Sequence, residues 1–272
     1  MIDAHCHLQD ERFSEPVENI LERASKMGVT HVVCCGTRQQ DWEKVYRLAS
    51  EFRHVVAFFG VHPWFAGHLK DRWRESLEGM LDRIPSGVGE IGLDFTGGMP
   101  QKDVQISVAE AQLRIAAERK LPVSIHCRKG WGELIHLLDK VKLPAGGLVH
   151  GWSGSAEMIH AFEKRGMYIS FGGSITRKGN IKAQRSIAAV SKRRLLLETD
   201  SPDMIPEGVE GNVNQPSNLA YIIETAALLR GTSPEQVDEL TSRNARAFLK
   251  KILLPLDIAP NQQGYDAKGE KR

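Results

Sequence analysis

The sequence has few cysteines and no long apolar segment. Four cysteines in 272 residues do not form the framework of a disulfide-stabilised secreted domain, so we expect reduced thiols at Cys6, Cys34, Cys35 and Cys127. No apolar run approaches the ~18 residues that a membrane span needs. The N-terminal sequence MIDAHCHL lacks the basic and apolar regions of a signal peptide. These absences predict a cytoplasmic protein that does not enter a membrane.

The sequence also lacks an excess of charge of either sign. Its 36 Lys and Arg residues nearly balance 34 Asp and Glu residues, which leaves a formal net charge of +2. Because this balance gives no bulk attraction for a polyanion, any contact with nucleic acid must be local. A hydrophobic content of 41% is enough for a full core and excludes disorder of the whole chain. No obligate protein partner can be read from the pattern.

Short apolar runs alternate with segments of helical periodicity along the chain. The runs predict eight strands at residues 1–7, 30–36, 54–63, 87–95, 122–128, 146–152, 167–173 and 194–202. The helical segments lie at 16–27, 40–52, 73–83, 104–119, 131–140, 155–165, 180–191, 216–230 and 234–250. This alternation is typical of βα units around a parallel sheet.

Eight parallel strands can form an open doubly wound sheet or a closed barrel. No glycine-rich phosphate-binding fingerprint follows the first strand, which disfavours the open dinucleotide-binding sheet. Strand ends recur roughly every 28 residues, as expected of βα units. We therefore predict an α/β fold with a single (β/α)8 TIM barrel over residues 1–255 and a site at its C-terminal mouth. Residues 256–272 are predicted to be a disordered polar tail.

The first predicted strand carries candidate metal ligands. Asp3, His5 and His7 occupy alternate positions, so a regular strand would point all three side chains to one face. Two imidazoles that share one space at a barrel mouth are natural ligands for zinc, manganese or similar ions. The His-x-His pattern alone is also compatible with two histidines hydrogen-bonded in a core.

Further candidate ligands lie on four other predicted strands. Glu90 lies on the fourth strand, and His126, His150 and Asp200 end the fifth, sixth and eighth strands. Each of them alone is more often a core histidine, a cap or an ion-pair partner. Side chains from five strands that meet at one mouth favour a metal site instead. The predicted ligands are His5, His7, Glu90, His126, His150 and Asp200.

Six ligands with a central carboxylate suit two ions, with Glu90 as the natural bridge. Two ions a few ångströms apart lower the pKa of a shared water and give hydroxide near neutral pH. Asp200 is the candidate general base, so Glu90 and Asp200 are the predicted catalytic residues. Two divalent metal ions are the predicted cofactors, and imidazoles with carboxylates leave zinc, manganese, cobalt or iron open.

The motifs that contain these residues resemble those of the TatD family of metal-dependent hydrolases, in the amidohydrolase superfamily. They are D-x-H-x-H at 3–7, G-V-H-P at 60–63, G-E-I-G-L-D at 89–94, H-C-R at 126–128, H-G-W-S-G at 150–154 and E-T-D-S-P at 198–202. The resemblance covers roughly residues 1–250. It implies that His5, His7 and Asp200 hold one ion, that His126 and His150 hold the other, and that Glu90 bridges them.

The resemblance also implies a deoxyribonuclease of the 3′-5′ exonuclease type, which cleaves phosphodiester bonds in single-stranded DNA or at DNA 3′ ends. His62, which ends the third predicted strand, resembles the family histidine near the substrate phosphate. The alternative for His62 is a loop histidine that fixes the turn before Pro63. Arg128 follows the fifth strand, where it is a candidate phosphate contact or part of a solvated loop.

Aromatic residues just beyond the predicted strand ends have two open interpretations. Trp64, Phe65, Phe95 and Trp152 either stack on unpaired bases or pack in the core and loops. In the basic segment 177–194, only Arg177 and Lys178 follow a strand on the active-site side.

Two alternatives to the nuclease remain. The same metal centre is suited to a carboxylic ester such as D-aminoacyl-tRNA, or to another small ester or phosphodiester. A metal-stabilised scaffold that binds a partner without turnover is the non-enzymatic alternative, and it does not require Glu90 and Asp200.

Overall fold

The computed structural model describes residues 1–253, in which eight strands form one parallel sheet. The strands follow each other around the sheet in chain order, and each pairs in parallel with the next. They are β1 (Ile2–Cys6), β2 (His31–Cys35), β3 (Val55–Phe59), β4 (Gly87–Asp94), β5 (Val123–Arg128), β6 (Gly147–Val149), β7 (Met167–Phe171) and β8 (Leu195–Leu197).

Helices connect the strands and cover the outside of the sheet. They are α1 (Val17–Lys26), α2 (Trp42–Glu51), α3 (Trp73–Arg83), α4 (Lys102–Arg119), α5 (Trp131–Lys140), α6 (Ile159–Glu163), α7 (Ile181–Ala189), α8 (Leu219–Arg230) and α9 (Pro234–Phe248). Within residues 1–253, none of these helices has the length and apolar character to cross a bilayer.

The sheet closes on itself between β8 and β1. The backbone N–H of Asp200 donates to the His5 carbonyl at 3.0 Å, and the N–H of His7 donates to the Ser201 carbonyl at 2.7 Å. The Asp3 carboxylate accepts a hydrogen bond from the Thr199 N–H at 2.9 Å across the same seam. The predicted (β/α)8 barrel is therefore confirmed.

The end of the barrel opposite the mouth is filled by apolar side chains. Helix α9 lies across this end. Its Asn244 side chain donates hydrogen bonds to the carbonyl of Lys192, before β8, and to that of Leu195, the first residue of β8. The Phe248 ring of α9 lies 6.0 Å from the Phe58 ring. This bottom cluster consists of Ile2, Ala4, Val33, Cys35, Val56, Phe58, Leu148, Tyr168, Leu196, Ala245, Phe248, Leu249, Ile252 and Leu253.

The register of β1 slips by one residue, and this changes which side chains share a face. Asp3 pairs with Val32 on the outer side, and Cys6 pairs with Cys34, so β1 has one residue more than β2 between these pairs. Such a bulge points two successive side chains, Ala4 and His5, into the barrel. The prediction that Asp3 shares a face with His5 and His7 is therefore wrong.

Strand β4 contains a second bulge, between Val88 and Ile91, opposite β5. It points Gly89 and Glu90 together into the barrel. A Cβ atom on Gly89 would lie 2.9 Å from the Cβ of Ser124, so this position has no room for a larger residue. The bulge thus depends on glycine at position 89 and presents the neighbouring carboxylate to the interior.

Several predicted element ends differ from the structure. Strand β3 ends at Phe59, so His62 lies in the following loop, whereas β5 ends at Arg128 as the predicted range 122–128 has it, so Arg128 ends the strand rather than following it. Glu90 lies within β4, and Asp200 lies in a turn beyond β8 with a positive φ of 55°. The helix predicted at 155–165 is a 3-10 turn followed by the five-residue α6. The predicted domain end at 255 and the tail at 256–272 lie outside the described residues.

The four cysteines are free and buried, as the sequence predicts. Burial raises the pKa of the Cys34 thiol to about 12.

Candidate metal centre at the barrel mouth

A cavity of about 1030 Å³ opens at the C-terminal ends of the strands. Its walls include His7, Glu90, His126, His150 and Asp200. The remaining predicted ligand, His5, is fully buried beneath it and stacks its ring on His150 at 3.9 Å between centroids. All six predicted ligands therefore meet in one place.

Glu90 lies at the centre of the ligand set. Its Oε2 atom is 3.5 Å from His5 Nε2 and 3.3 Å from His7 Nε2. Its Oε1 atom is 3.1 Å from His126 Nδ1 and 2.7 Å from His150 Nε2. The two carboxylate oxygens thus face two separate groups of imidazoles.

Asp200 completes the group formed by His5 and His7. Its Oδ1 atom lies 3.6 Å from His7 Nε2 and 3.8 Å from His5 Nε2. The side chain is 18% exposed, so it also faces the cavity. The same carboxylate can thus contact a metal ion and a water molecule in the open part of the site.

The hydrogen bonds behind two histidines fix which ring nitrogen carries the proton. His7 Nδ1 lies 2.8 Å from the Cys35 carbonyl, an acceptor, so this nitrogen must donate. In the neutral ring the lone pair is then on Nε2, which faces the carboxylates of Glu90 and Asp200. His126 is arranged in the same way, with Nε2 3.2 Å from Asp94 Oδ2 and Nδ1 towards Glu90. Lone pairs that face carboxylate oxygens can take up either a proton or a metal ion, and this donor set fits divalent transition-metal ions.

The pKa values reflect the same crowding. Burial, with a further contribution from His150, lowers the pKa of His5 to about 3, so this ring is the neutral form that binds metals. Burial also opposes charge on His7, but Asp200 and Glu90 outweigh it and raise the His7 pKa well above its ordinary value. Without a metal, protons therefore balance the clustered carboxylates.

Asp94 contacts a candidate ligand from behind, and the sequence interpretation missed it. It ends β4, is buried, and contacts His126 Nε2 at 3.2 Å. Its carboxylate accepts hydrogen bonds from the Thr96 hydroxyl at 2.6 Å and the Trp64 indole N–H at 2.9 Å. Although burial opposes it, the contact with His126 and these two hydrogen bonds hold the Asp94 pKa well below its ordinary value. A strand-end carboxylate within the G-E-I-G-L-D motif was the available signal.

Two other supporting contacts were also missed. Glu198, which is fully buried, has Oε1 3.5 Å from His150 Nδ1 and accepts the Gly151 N–H at 2.6 Å. The Ser124 hydroxyl lies 2.8 Å from His5 Nδ1. Groups behind a ligating imidazole orient the ring and select its tautomer. Glu198 lies in the E-T-D-S-P motif, but Ser124 stands in no motif that marks it.

His62 lies beside the ligand set rather than within the predicted six. Its Nδ1 accepts the Trp64 backbone N–H at 3.2 Å, so the side chain caps the 3-10 turn Pro63–Phe65. Its Nε2 is 3.2 Å from Glu90 Oε1. Burial lowers the pKa of His62 to about 4, so the ring is neutral and carries its proton on Nε2. The turn-fixing interpretation is correct, and the same ring presents an N–H to the site.

Arginines occupy the rim of the cavity. Arg128, Arg38 and Arg177 all line it, and within residues 1–253 none of the three has an ion-pair partner. Lys178 instead lies outside the lining and donates its backbone N–H to Glu207. The rim therefore offers unpaired cations on several sides of the centre.

The aromatic candidates separate clearly in the structure. Trp152 also borders the cavity, but it is only 2% exposed and packs against Trp131 and Phe162. Phe95 lies under the Lys102 ammonium, 4.8 Å from its ring centre, and does not line the cavity. Trp64 lines the cavity and is 46% exposed. Of the two open interpretations, core packing is correct for Trp152.

Comparisons with known proteins agree with this geometry. The sequence profile of a family described as TatD related DNase matches residues 2–250. The uncharacterized metal-dependent hydrolase YjjV of Escherichia coli (strain K12) is 34% identical over 89% of this chain and 95% of its own. Its crystal structure superposes with a TM-score of 0.87 over 91% of this chain and 97% of that one. A 3′-5′ ssDNA/RNA exonuclease TatD of Salmonella typhimurium (strain LT2) is 29% identical over 93% of this chain and 100% of its own.

Proposed function

Because the chain belongs to the TatD family of metal-dependent hydrolases, we propose that it is a 3′-5′ exodeoxyribonuclease with two divalent ions at the barrel mouth. The bridging position of Glu90, with one oxygen towards each group of imidazoles, is the observation that carries this proposal. His5, His7 and Asp200 would hold one ion and His126 and His150 the other. When bound, such ions activate water and polarise the phosphoryl oxygen.

The protein's own residues have distinct tasks in phosphodiester hydrolysis. Asp200 faces the cavity and takes a proton from the attacking water. The water oxygen bonds to phosphorus, the bond from phosphorus to the shortened strand breaks, and the oxygen that leaves receives the proton from Asp200. The His62 N–H is positioned beside Glu90 to donate to a phosphoryl oxygen as its negative charge grows.

Arg128 is the proposed phosphate contact at the rim. Its guanidinium has no ion-pair partner within the described residues, so it can form two parallel hydrogen bonds to a phosphate group. This contact supports substrate binding rather than the chemical step. We therefore expect Arg128→Ala to raise KM with little change in kcat.

The test uses single-stranded DNA labelled at either end. Metal-stripped protein is reconstituted with Mn²⁺, Zn²⁺ or Mg²⁺, and its metal content is measured, with two ions per chain expected. Release of labelled mononucleotide from the 3′ end, with a descending ladder from 5′-labelled DNA, would support the proposal. Circular single-stranded DNA should stay intact, because it has no end. Cleavage of the circle or release from the 5′ end would overturn the exonuclease polarity.

Well-folded, metal-loaded protein that releases no nucleotide would overturn the nuclease proposal. The same preparation is then assayed on a D-aminoacyl-tRNA ester and on a small phosphodiester. Glu90→Gln is the control in each assay, because it removes the bridging charge while it keeps the side-chain shape. Turnover that needs both metal and Glu90 would keep the hydrolase centre and change only the substrate.

A further inference from the structure

Trp64 is an exposed aromatic side chain beside the metal centre. Within residues 1–253, the other large apolar side chains that are at least about as exposed as Trp64 do not line the cavity. They are Met27, Ile181, Tyr221 and Leu228. Its ring contacts His62 edge-on, with 4.8 Å between ring centres. Because His62 Nε2 is 3.2 Å from Glu90, a single side chain separates the Trp64 ring from the centre.

The exposed ring is held in place from two directions. The Trp64 backbone N–H donates to His62 Nδ1, and its indole N–H donates to Asp94 Oδ2 at 2.9 Å. An exposed tryptophan without such bonds would lose rotational freedom when a ligand packed against it. A ring that is already fixed avoids that loss, which favours binding of a flat ligand.

The hydrogen bond of the Trp64 indole connects this ring to the candidate ligand His126 through Asp94. The oxygen that accepts it, Asp94 Oδ2, is the oxygen that contacts His126 Nε2 at 3.2 Å. Asp94 thus fixes the His126 ring, and Trp64 fixes the carboxylate of Asp94. Contacts behind a metal ligand that set its orientation change metal affinity and activity when they are removed.

We propose that Trp64 stacks on the base of the 3′-terminal nucleotide and, through Asp94, positions His126. This inference rests on the proposed nuclease function and deepens it. Stacking uses the face that every base presents, so the contact tolerates all four bases. The unpaired Arg38, whose guanidinium lies 5.1 Å from the Phe65 ring centre, provides positive charge for the backbone phosphate beside this platform.

The first test compares two oligonucleotides on the unaltered, metal-loaded protein. One has a normal 3′-terminal nucleotide and the other has an abasic sugar there. We expect KM to rise about 10-fold for the abasic end, because it offers nothing to stack on. Equal KM values for the two ends would overturn the stacking role, and this comparison needs no variant.

The second test separates the ring from its N–H group. Trp64→Phe keeps an aromatic face but cannot donate to Asp94, so it should keep the preference for a normal end while kcat and metal affinity fall. Trp64→Leu removes both features, so it should also lose that preference. A Trp64→Leu protein that still distinguishes the two ends would overturn the stacking role. Unchanged metal affinity in Trp64→Phe would overturn the positioning role.

Tryptophan fluorescence gives a readout that does not depend on turnover. Single-stranded DNA with a non-hydrolysable phosphorothioate end should quench the emission of the unaltered protein, and Trp64→Phe should remove this quenching. Trp73→Phe, on α3 outside the cavity, is the matched control and should leave the quenching unchanged. Because Trp152 also borders the cavity, the overturning result is quenching of the same size in Trp64→Phe as in the unaltered protein. If the unaltered protein neither binds nor cleaves single-stranded DNA, the proposed function itself is overturned. If it cleaves DNA but shows none of the Trp64 effects, only this inference is overturned.

Discussion

The two ends of the barrel use the same eight strands for opposite purposes. At the bottom, inward side chains such as Val33, Phe58 and Leu196 pack against α9 and bury apolar surface. At the mouth, further along the strands and in the loops that follow them, the inward side chains are imidazoles and carboxylates that face each other. The bottom lowers the free energy of the folded state, while the mouth concentrates imidazoles and carboxylates that bind protons or cations. Stability and chemistry are therefore separable along the barrel axis.

The largest expected effect is at the mouth. Glu90→Gln should lower kcat by about 10³-fold, because it removes the bridging charge and with it several kcal/mol of transition-state stabilisation. Bound metal per chain should fall in parallel, while circular dichroism stays unchanged. A Glu90→Gln protein with near-normal turnover would contradict the bridging role.

The matching change at the bottom is Phe248→Ala. Phe248 is 3% exposed and its ring lies 5.6 Å from the Tyr168 ring, so truncation leaves a cavity in the bottom cluster. Unfolding in urea should show a loss of about 3–5 kcal/mol. Turnover per folded molecule should not change, and a large fall in kcat would show that the two ends are not separable.

Metal removal tests whether the mouth contributes to stability independently of the bottom cluster. At a free metal concentration of 100 times Kd, one bound ion adds about 2.7 kcal/mol of stability, so a chelator should lower the free energy of unfolding by this order. The loss should add to that of Phe248→Ala, since the Phe248 ring packs on Phe58 and Tyr168 rather than on the candidate ligands. If the loss in unfolding free energy from chelation and Phe248→Ala together differs strongly from the sum of the two separate losses, the two ends are coupled through the barrel interior.

The smallest expected effect concerns the groups behind the ligands. Asp94→Asn should weaken metal binding by about 10-fold to 100-fold, because the amide no longer holds His126 as the carboxylate does. Asp139→Asn is the control, as Asp139 pairs with Arg165 on the surface, away from the mouth. Titration calorimetry measures the metal affinity of both variants. Equal affinities would show that Asp94 does not contribute to metal binding.

The sequence predicted the barrel because strand and helix patterns alternate and because the ligands fall on five strands. It did not predict the bulges in β1 and β4, since a register slip depends on the neighbouring strand and leaves no mark in a period of two. Asp3 was misplaced for that reason. Regularity within one strand therefore predicts the composition of the site better than the direction of each side chain.

The supporting residues were harder to predict than the ligands. Asp94 and Glu198 lie inside recognisable motifs, but their task depends on distances to His126 and His150 that only the folded chain provides. Ser124 reaches His5 only because two distant strands meet across the barrel interior. Residues that act through another side chain carry little signal of their own.

The seam between β1 and β8 links the metal centre to the dynamics of the whole barrel. The backbone bonds that close it are made by His5, His7, Asp200 and Ser201, three of which are candidate ligands. An ion held by His5, His7 and Asp200 would therefore cross-link the first strand to the segment that follows the last strand. Amide hydrogen exchange at His7 and Asp200 should slow when metal is added, while exchange between the central strands β5 and β6 should change less. The N-terminal and C-terminal parts of the chain would then open as one cooperative unit.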